Sequence, residues 1–125
     1  MSGFLGLGKY LFIVPMLVFG VIHLKQAKAI STLPPFGGQI MVYITGIALL
    51  AASISLVIGK WDKLACVLLS ILLLSFAVTI HLPAMLNAQD EMAKAASLSN
   101  FVKDIGLAGG ALMAARLAKD HSVIG

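Results

Sequence analysis

Two histidines sit in the same tripeptide, Ile22-His23-Leu24 and Ile80-His81-Leu82, each at the end of a long apolar run. Gln39, Tyr43, Lys103 and Asp104 lie at the edges of two further apolar runs. Imidazole, amide, ammonium and carboxylate groups can donate, accept or pass protons near neutral pH. Two chemistries suit such a set. One is a quinone pocket, in which His or Gln donates to a ring carbonyl while Lys103 or Asp104 assists proton movement. The other, less favoured, is bis-imidazole haem ligation by His23 and His81, with Lys25, Lys28 or Lys103 meeting the propionates. No metal site is expected, because two His and one Asp are too few and neither His-x-x-x-His nor Glu-x-x-His spacing occurs. Nucleophile motifs, P-loops and dinucleotide fingerprints are absent, so no catalytic residue can be named and enzymatic activity stays open. Cys66 is the single cysteine, which excludes an intrinsic dithiol–disulfide relay.

These groups are few because the rest of the chain is apolar. Of 125 residues, 60% are hydrophobic and 11% charged, with mean hydropathy +1.03. A soluble domain carries roughly 45–50% apolar and about 25% charged residues, and disorder needs low hydrophobicity with high charge. Both classes are excluded in favour of an integral membrane protein. A spanning helix needs about 20 predominantly apolar residues. Runs over about 4–24, 39–59, 64–82 and 101–118 meet or approach this, the last being the weakest because Lys103, Asp104 and Arg116 stand at its edges. The expected fold is a single all-α domain over residues 1–125, a transmembrane four-helix bundle in the lipid bilayer. The first run has features of a signal peptide, with Lys9 near its start and Ala27-Lys28-Ala29 after it. Its length from Phe4 favours a spanning helix.

Four spans put both termini on one side. That side carries Lys9, Lys60, Lys63, Arg116 and Lys119, against Lys25, Lys28, Lys94 and Lys103 on the other. The balance leans towards cytoplasmic termini. The net charge of +4 forms no stripe interleaved with aromatics, so nucleic acid is not an expected partner. Lys60-Trp61-Asp62-Lys63 makes a tight hairpin with Trp61 at headgroup level, whereas Pro34-Pro35-Phe36-Gly37-Gly38 cannot continue a helix. Residues 84–100 suggest a short surface helix supported by an Asp90–Lys94 pair, followed by a fourth helix capped by Asn100 with Asp104 in its first turns.

The first and third spans run in the same direction, so His23 and His81 should share a depth. Gln39 and the Lys103-Asp104 pair open the other two spans at that rim. Met16, Gly20 and His23 share one helical stripe, as do Ser70, Leu74, Ala77 and His81, and as do Gln39, Tyr43, Gly46 and Ser53. Gly20, Gly46, Gly106 and Gly110 are the expected sites of close helix packing. Simpler roles exist for all of these. A histidine at a helix end can merely meet water and headgroups, Lys103 and Asp104 can mark a membrane boundary, and Ser53, Ser70, Ser75 and Thr79 can bond their own preceding turn.

The order of features resembles the DoxX family of small bacterial four-helix membrane proteins. The matching stretches are Gly8-Lys9, Phe19-Gly20-Val21-Ile22-His23-Leu24-Lys25, Gly46, Gly59-Lys60, Ala65 and Ile80-His81-Leu82-Pro83. The most telling is Phe101-Val102-Lys103-Asp104-Ile105-Gly106-Leu107-Ala108-Gly109-Gly110-Ala111, similar to the family's charged-then-glycine entry to its last helix. The chain departs from the pattern at Lys9, where Arg is common, and in having His23 shortly before the basic residue that follows the first helix. The resemblance implies a multi-pass protein of the bacterial inner membrane. It also implies a redox link, as subunit or partner of a membrane oxidoreductase, and association with other membrane subunits or with itself. A non-enzymatic accessory or scaffold subunit is the competing expectation. No catalytic residue carries over, because the family has no universal catalytic motif.

Overall fold

Pro15 and Pro83 would each break a water-exposed helix, yet both lie within long helices here. A bilayer leaves an open backbone no water to bond, so helices persist through such residues when neighbouring turns adjust. The computed structural model describes residues 2–26 and 38–120, and every regular element among them is helical. Four helices result: α1 (Ser2–Lys25), α2 (Gly38–Ile58), α3 (Asp62–Leu86) and α4 (Glu91–Arg116). The first three are long and apolar enough to cross a membrane. α4 is equally long but carries Glu91, Lys94, Lys103, Asp104 and Arg116, and it falls outside that class. The readings made for Ala27-Lys28-Ala29 and for residues 34–37 lie outside the described residues.

Helices α1 and α2 pack as one pair and α3 and α4 as another, joined along the α2–α3 seam and by side chains from α1 to α4. The core is a continuous strip of Met16, Leu49, Ala52, Leu69, Leu73, Ala108 and Ala111. Below it, Ile13, Leu56, Cys66 and Ala115 form a second layer. On α3 the buried positions Cys66, Ser70, Leu73 and Ala77 recur every three or four residues, the spacing of one helical face. Outward positions such as Phe4, Leu5, Ile40, Ile54, Leu68 and Ile71 are large, apolar and exposed, as a lipid-facing surface requires. Ser53, Ser75 and Thr79 donate to the carbonyls of Leu49, Ile71 and Ser75 four residues back, and Ser70 donates to Val67.

Three boundary expectations change. The surface helix over 84–100 and the fourth helix are one element, beginning at Glu91 rather than near Phe101. Asp90 is its N-cap, accepting from Ala93 N–H at 2.7 Å, so its carboxylate serves the backbone rather than Lys94. Asn100 therefore lies within a helix, and Asp104 stands well beyond the first turns. The run of good helix formers from Glu91 to Ala96 carries the helix out of the apolar segment without a break. Helix α3 continues past His81 to Leu86 through a wide π-turn over Ala77–His81, with Leu82 N–H reaching back to Ala77 C=O. Pro83 follows directly. Its ring would collide with the carbonyl four residues earlier in a regular helix, and widening the preceding turn relieves that conflict.

The α2–α3 turn is held by the chain's other end. Gly59 and Trp61 adopt left-handed φ values of 73° and 58°, a cost for tryptophan that fixed partners must offset. Trp61 N–H donates to Asp120 Oδ2 at 2.7 Å. In return the buried Asp62 accepts from Lys119 N–H at 2.9 Å, from Asp120 N–H at 3.0 Å and from Lys63 N–H at 3.0 Å. Asp62→Ala removes all three acceptor contacts. Amide hydrogen exchange at Lys119 and Asp120 is expected to accelerate roughly tenfold or more, with little change in the interior of α2.

Candidate functional site

Helix α3 carries His81 nineteen residues beyond Asp62, about 28 Å along the axis at 1.5 Å per residue. The helix continues five residues further to Leu86, so His81 lies towards the end of α3 remote from Asp62. α4 runs antiparallel to α3 and brings Asp104 to that level. His81 Nε2 lies 3.0 Å from Asp104 Oδ2. The Asp104 side chain is only 6% exposed and that of His81 22%. The approach is close but not aligned along a ring N–H, and Asp104 Oδ2 is fully buried with no aligned hydrogen-bond donor. One proton shared between ring and carboxyl leaves the pair neutral overall whichever atom carries it. This avoids leaving a lone charge in an apolar setting.

A second group surrounds the pair. His23 approaches Phe19 C=O at 2.7 Å through Nδ1. A carbonyl only accepts, so Nδ1 carries the proton and Nε2 presents its lone pair in the neutral ring. The His23 ring stacks on Phe76 of α3, with centroids 6.3 Å apart and planes 13° from parallel. Lys103, next to Asp104, sets its ammonium 5.0 Å from the centre of the Phe19 ring and 3.3 Å from Asn100 Oδ1. Residues of α1, α3 and α4 thus meet at one rim, with Phe19 and Phe76 between the two histidines' surroundings.

Gln39 and Tyr43 do not join this rim. Both are exposed, and Gln39 Nε2 donates to Tyr43 OH at 3.4 Å along their own helix. The buried stripe of α2 is Val42, Thr45, Gly46, Leu49 and Ser53, so Gly46 and Ser53 face inward while Gln39 and Tyr43 fall to one side. Leu74 likewise stands 43% exposed beside the inward stripe of α3. Among the four glycines, Gly20 and Gly46 meet. A Cβ on Gly46 would stand 2.9 Å from His23 Cβ and 3.1 Å from Gly20 O. Gly110 faces the Phe12 ring, 3.3 Å from such a Cβ, but Gly106 has nothing within 4 Å. The inward face of α4 is Asp104, Ala108, Ala111 and Ala115. Gly106 is two residues, or about 200°, around the helix from Asp104 and points away.

Two features are not legible in the sequence, where the Ile80-His81-Leu82-Pro83 segment reads as a helix end. The π-turn leaves no residue signature apart from Pro83, and the Asp62–Asp120 clamp joins positions 58 apart. Among the described residues, no group of three or more His, Cys, Asp and Glu is placed to hold a metal ion. A porphyrin between the two histidines would require His81 Nε2 to leave Asp104. Comparison of the chain with family models, curated proteins and solved structures found no match.

Proposed function

We propose that this chain is a redox-linked membrane protein, a subunit or partner of a membrane oxidoreductase, that engages a quinone-type ring at the His81–Asp104 rim. The observation that carries the reading is the buried His81–Asp104 contact on a π-turn, with one carboxylate oxygen lacking an aligned donor. Insertions of this kind occur often at functional sites, and an ionisable pair within a membrane segment is costly unless it serves a purpose. The residues suit such a ring. His81 can donate to a carbonyl, Asp104 can orient the imidazole and return its proton, and the Lys103 ammonium adds positive charge nearby. Reduction of a quinone takes two electrons and two protons. In this reading the protein supplies the path for protons, and the partner oxidoreductase supplies the electrons.

The sequence resemblance to the DoxX family supports the same assignment, together with a bacterial inner membrane and four spans, and the balance of basic residues favours cytoplasmic termini. In that arrangement α4 crosses the bilayer sheltered by its alanine face against α3. A photoreactive quinone analogue in membranes containing the full chain is expected to label residues within 76–86 and 100–107, and excess unmodified quinone should suppress the labelling. Labelling spread over the lipid-facing residues of α1 and α2, or insensitive to competition, would overturn the reading.

A further inference from the structure

At the opposite end of the molecule, a groove of about 340 Å³ opens between α2 and α3. Ala48, Ala51, Ala52 and Ser55 form one wall and Leu64, Ala65, Leu68 and Leu72 the other, with Trp61 at the turn end. From Leu64 to Leu72 it extends about 12 Å along the helix axis. The alanines make the recess, since neighbouring outward positions on α2 are Ile47, Ile54 and Ile58. Along its walls the Ser55 hydroxyl is the one polar side-chain group, and the Trp61 indole adds an N–H donor at the turn end.

Beside Trp61 the chain is basic. Lys60 is exposed, and the Lys119 stem crosses the end of α2, where a Cβ on Gly59 would meet its Cδ at 3.5 Å. Arg116 and Lys63 belong to the same end. The two acids there face the backbone: Asp62 accepts three amide N–H groups and Asp120 accepts from Trp61 N–H. Among the described residues of this end, the four basic side chains exceed the two carboxylates by two charges, next to the mouth of an apolar groove.

We infer that this groove and the lysines beside its mouth form a binding site for an anionic phospholipid. One acyl chain lies along the alanine wall, and the phosphate-bearing headgroup meets Lys60 and Lys119 at the level of Trp61. Charge complementarity selects this occupant over a zwitterionic lipid, because basic residues at a membrane surface each favour an anionic headgroup. An apolar recess continuing from the headgroup level into the hydrocarbon suits a chain attached to that headgroup. The site is remote from His81 and does not depend on the quinone reading.

Trp61 is the single tryptophan of the chain, so its fluorescence reports on the groove mouth directly. The full-length protein is reconstituted in phosphatidylcholine bilayers containing a small fraction of lipid brominated on its acyl chains, either phosphatidylglycerol or phosphatidylcholine. Brominated phosphatidylglycerol is expected to associate with Trp61 about tenfold more strongly than brominated phosphatidylcholine. The preference should vanish in the Lys60→Gln/Lys119→Gln variant. It should also fall at least severalfold in Ala48→Leu/Ala51→Leu, which fills the groove from two exposed positions and leaves the lysines in place. Equal quenching by the two lipids in the unaltered protein overturns the site without recourse to any variant. A preference that survives groove filling overturns it too, since headgroups would then be adsorbing on the basic face alone.

Discussion

His81→Ala in the full-length protein is expected to lower stability in detergent by about 3 kcal/mol, whereas replacing His81 and Asp104 together by leucine should cost little or even stabilise. Removing the imidazole leaves the Asp104 carboxyl almost fully buried with its close partner gone. A buried ionisable group without a partner bears its desolvation cost alone, while a matched apolar pair has no such cost. His81 is itself 22% exposed, which places the expected loss at the lower end of the range for broken buried pairs. Thermal unfolding of His81→Leu, Asp104→Leu and the double leucine variant gives the coupling energy directly. Additive effects would show that the 3.0 Å approach carries no interaction energy, and the proposed proton path would lose its central element.

The second large effect lies where α1 crosses α2. Gly46→Ala is expected to destabilise by about 1–3 kcal/mol, because the new methyl meets His23 Cβ at 2.9 Å and the Gly20 carbonyl at 3.1 Å. Neither atom is the loose end of a side chain, so the helices must separate or His23 must shift. The Gly106→Ala variant provides the contrast. Nothing lies within 4 Å of its added carbon, and replacing a mid-helix glycine should stabilise by roughly 0.5–1 kcal/mol. Unfolding midpoints of the two variants check this, and equal effects would mean that α1 and α2 do not approach as closely as described. Because Gly46 abuts His23, its alanine variant should also weaken the stacking of His23 on Phe76. Gly46 thereby links helix packing to the candidate site.

Individual residues show why some of this was legible beforehand. His23 and His81 end apolar runs of the same polarity, and a bilayer allows few ways to arrange such runs, so their common rim followed from topology. Asp104 and Lys103 were assigned to that rim for the same reason. Gln39 and Tyr43 lie off the buried stripe of α2, and a stripe of polar and small residues does not reveal which of two adjacent stripes faces the core. On α2 the choice went to Val42, Thr45, Gly46 and Leu49, set by the fit of Gly46 against Gly20. Gly106 likewise lies off the inward face of α4. The Gly106–Gly110 spacing looks like a packing face, but Asp104 and the alanines at 108, 111 and 115 determine how α4 is rotated.

By itself, the sequence determined the membrane class and, of the four spans it led us to expect, the three helices long and apolar enough to cross a bilayer, because these depend on how many consecutive residues lack charge. It also indicated that His81, Lys103 and Asp104 lie towards the same end of the molecule. Only the tertiary structure decided that His81 meets Asp104 rather than His23, that Pro83 is accommodated by a π-turn, and that Asp62 and Asp120 clamp the opposite end. The first and the last of these depend on helix rotation and on contacts between segments far apart in the chain. Neither quantity is encoded in composition or span length. Both emerge only when packed side chains and backbone carbonyls compete for the same few ångströms.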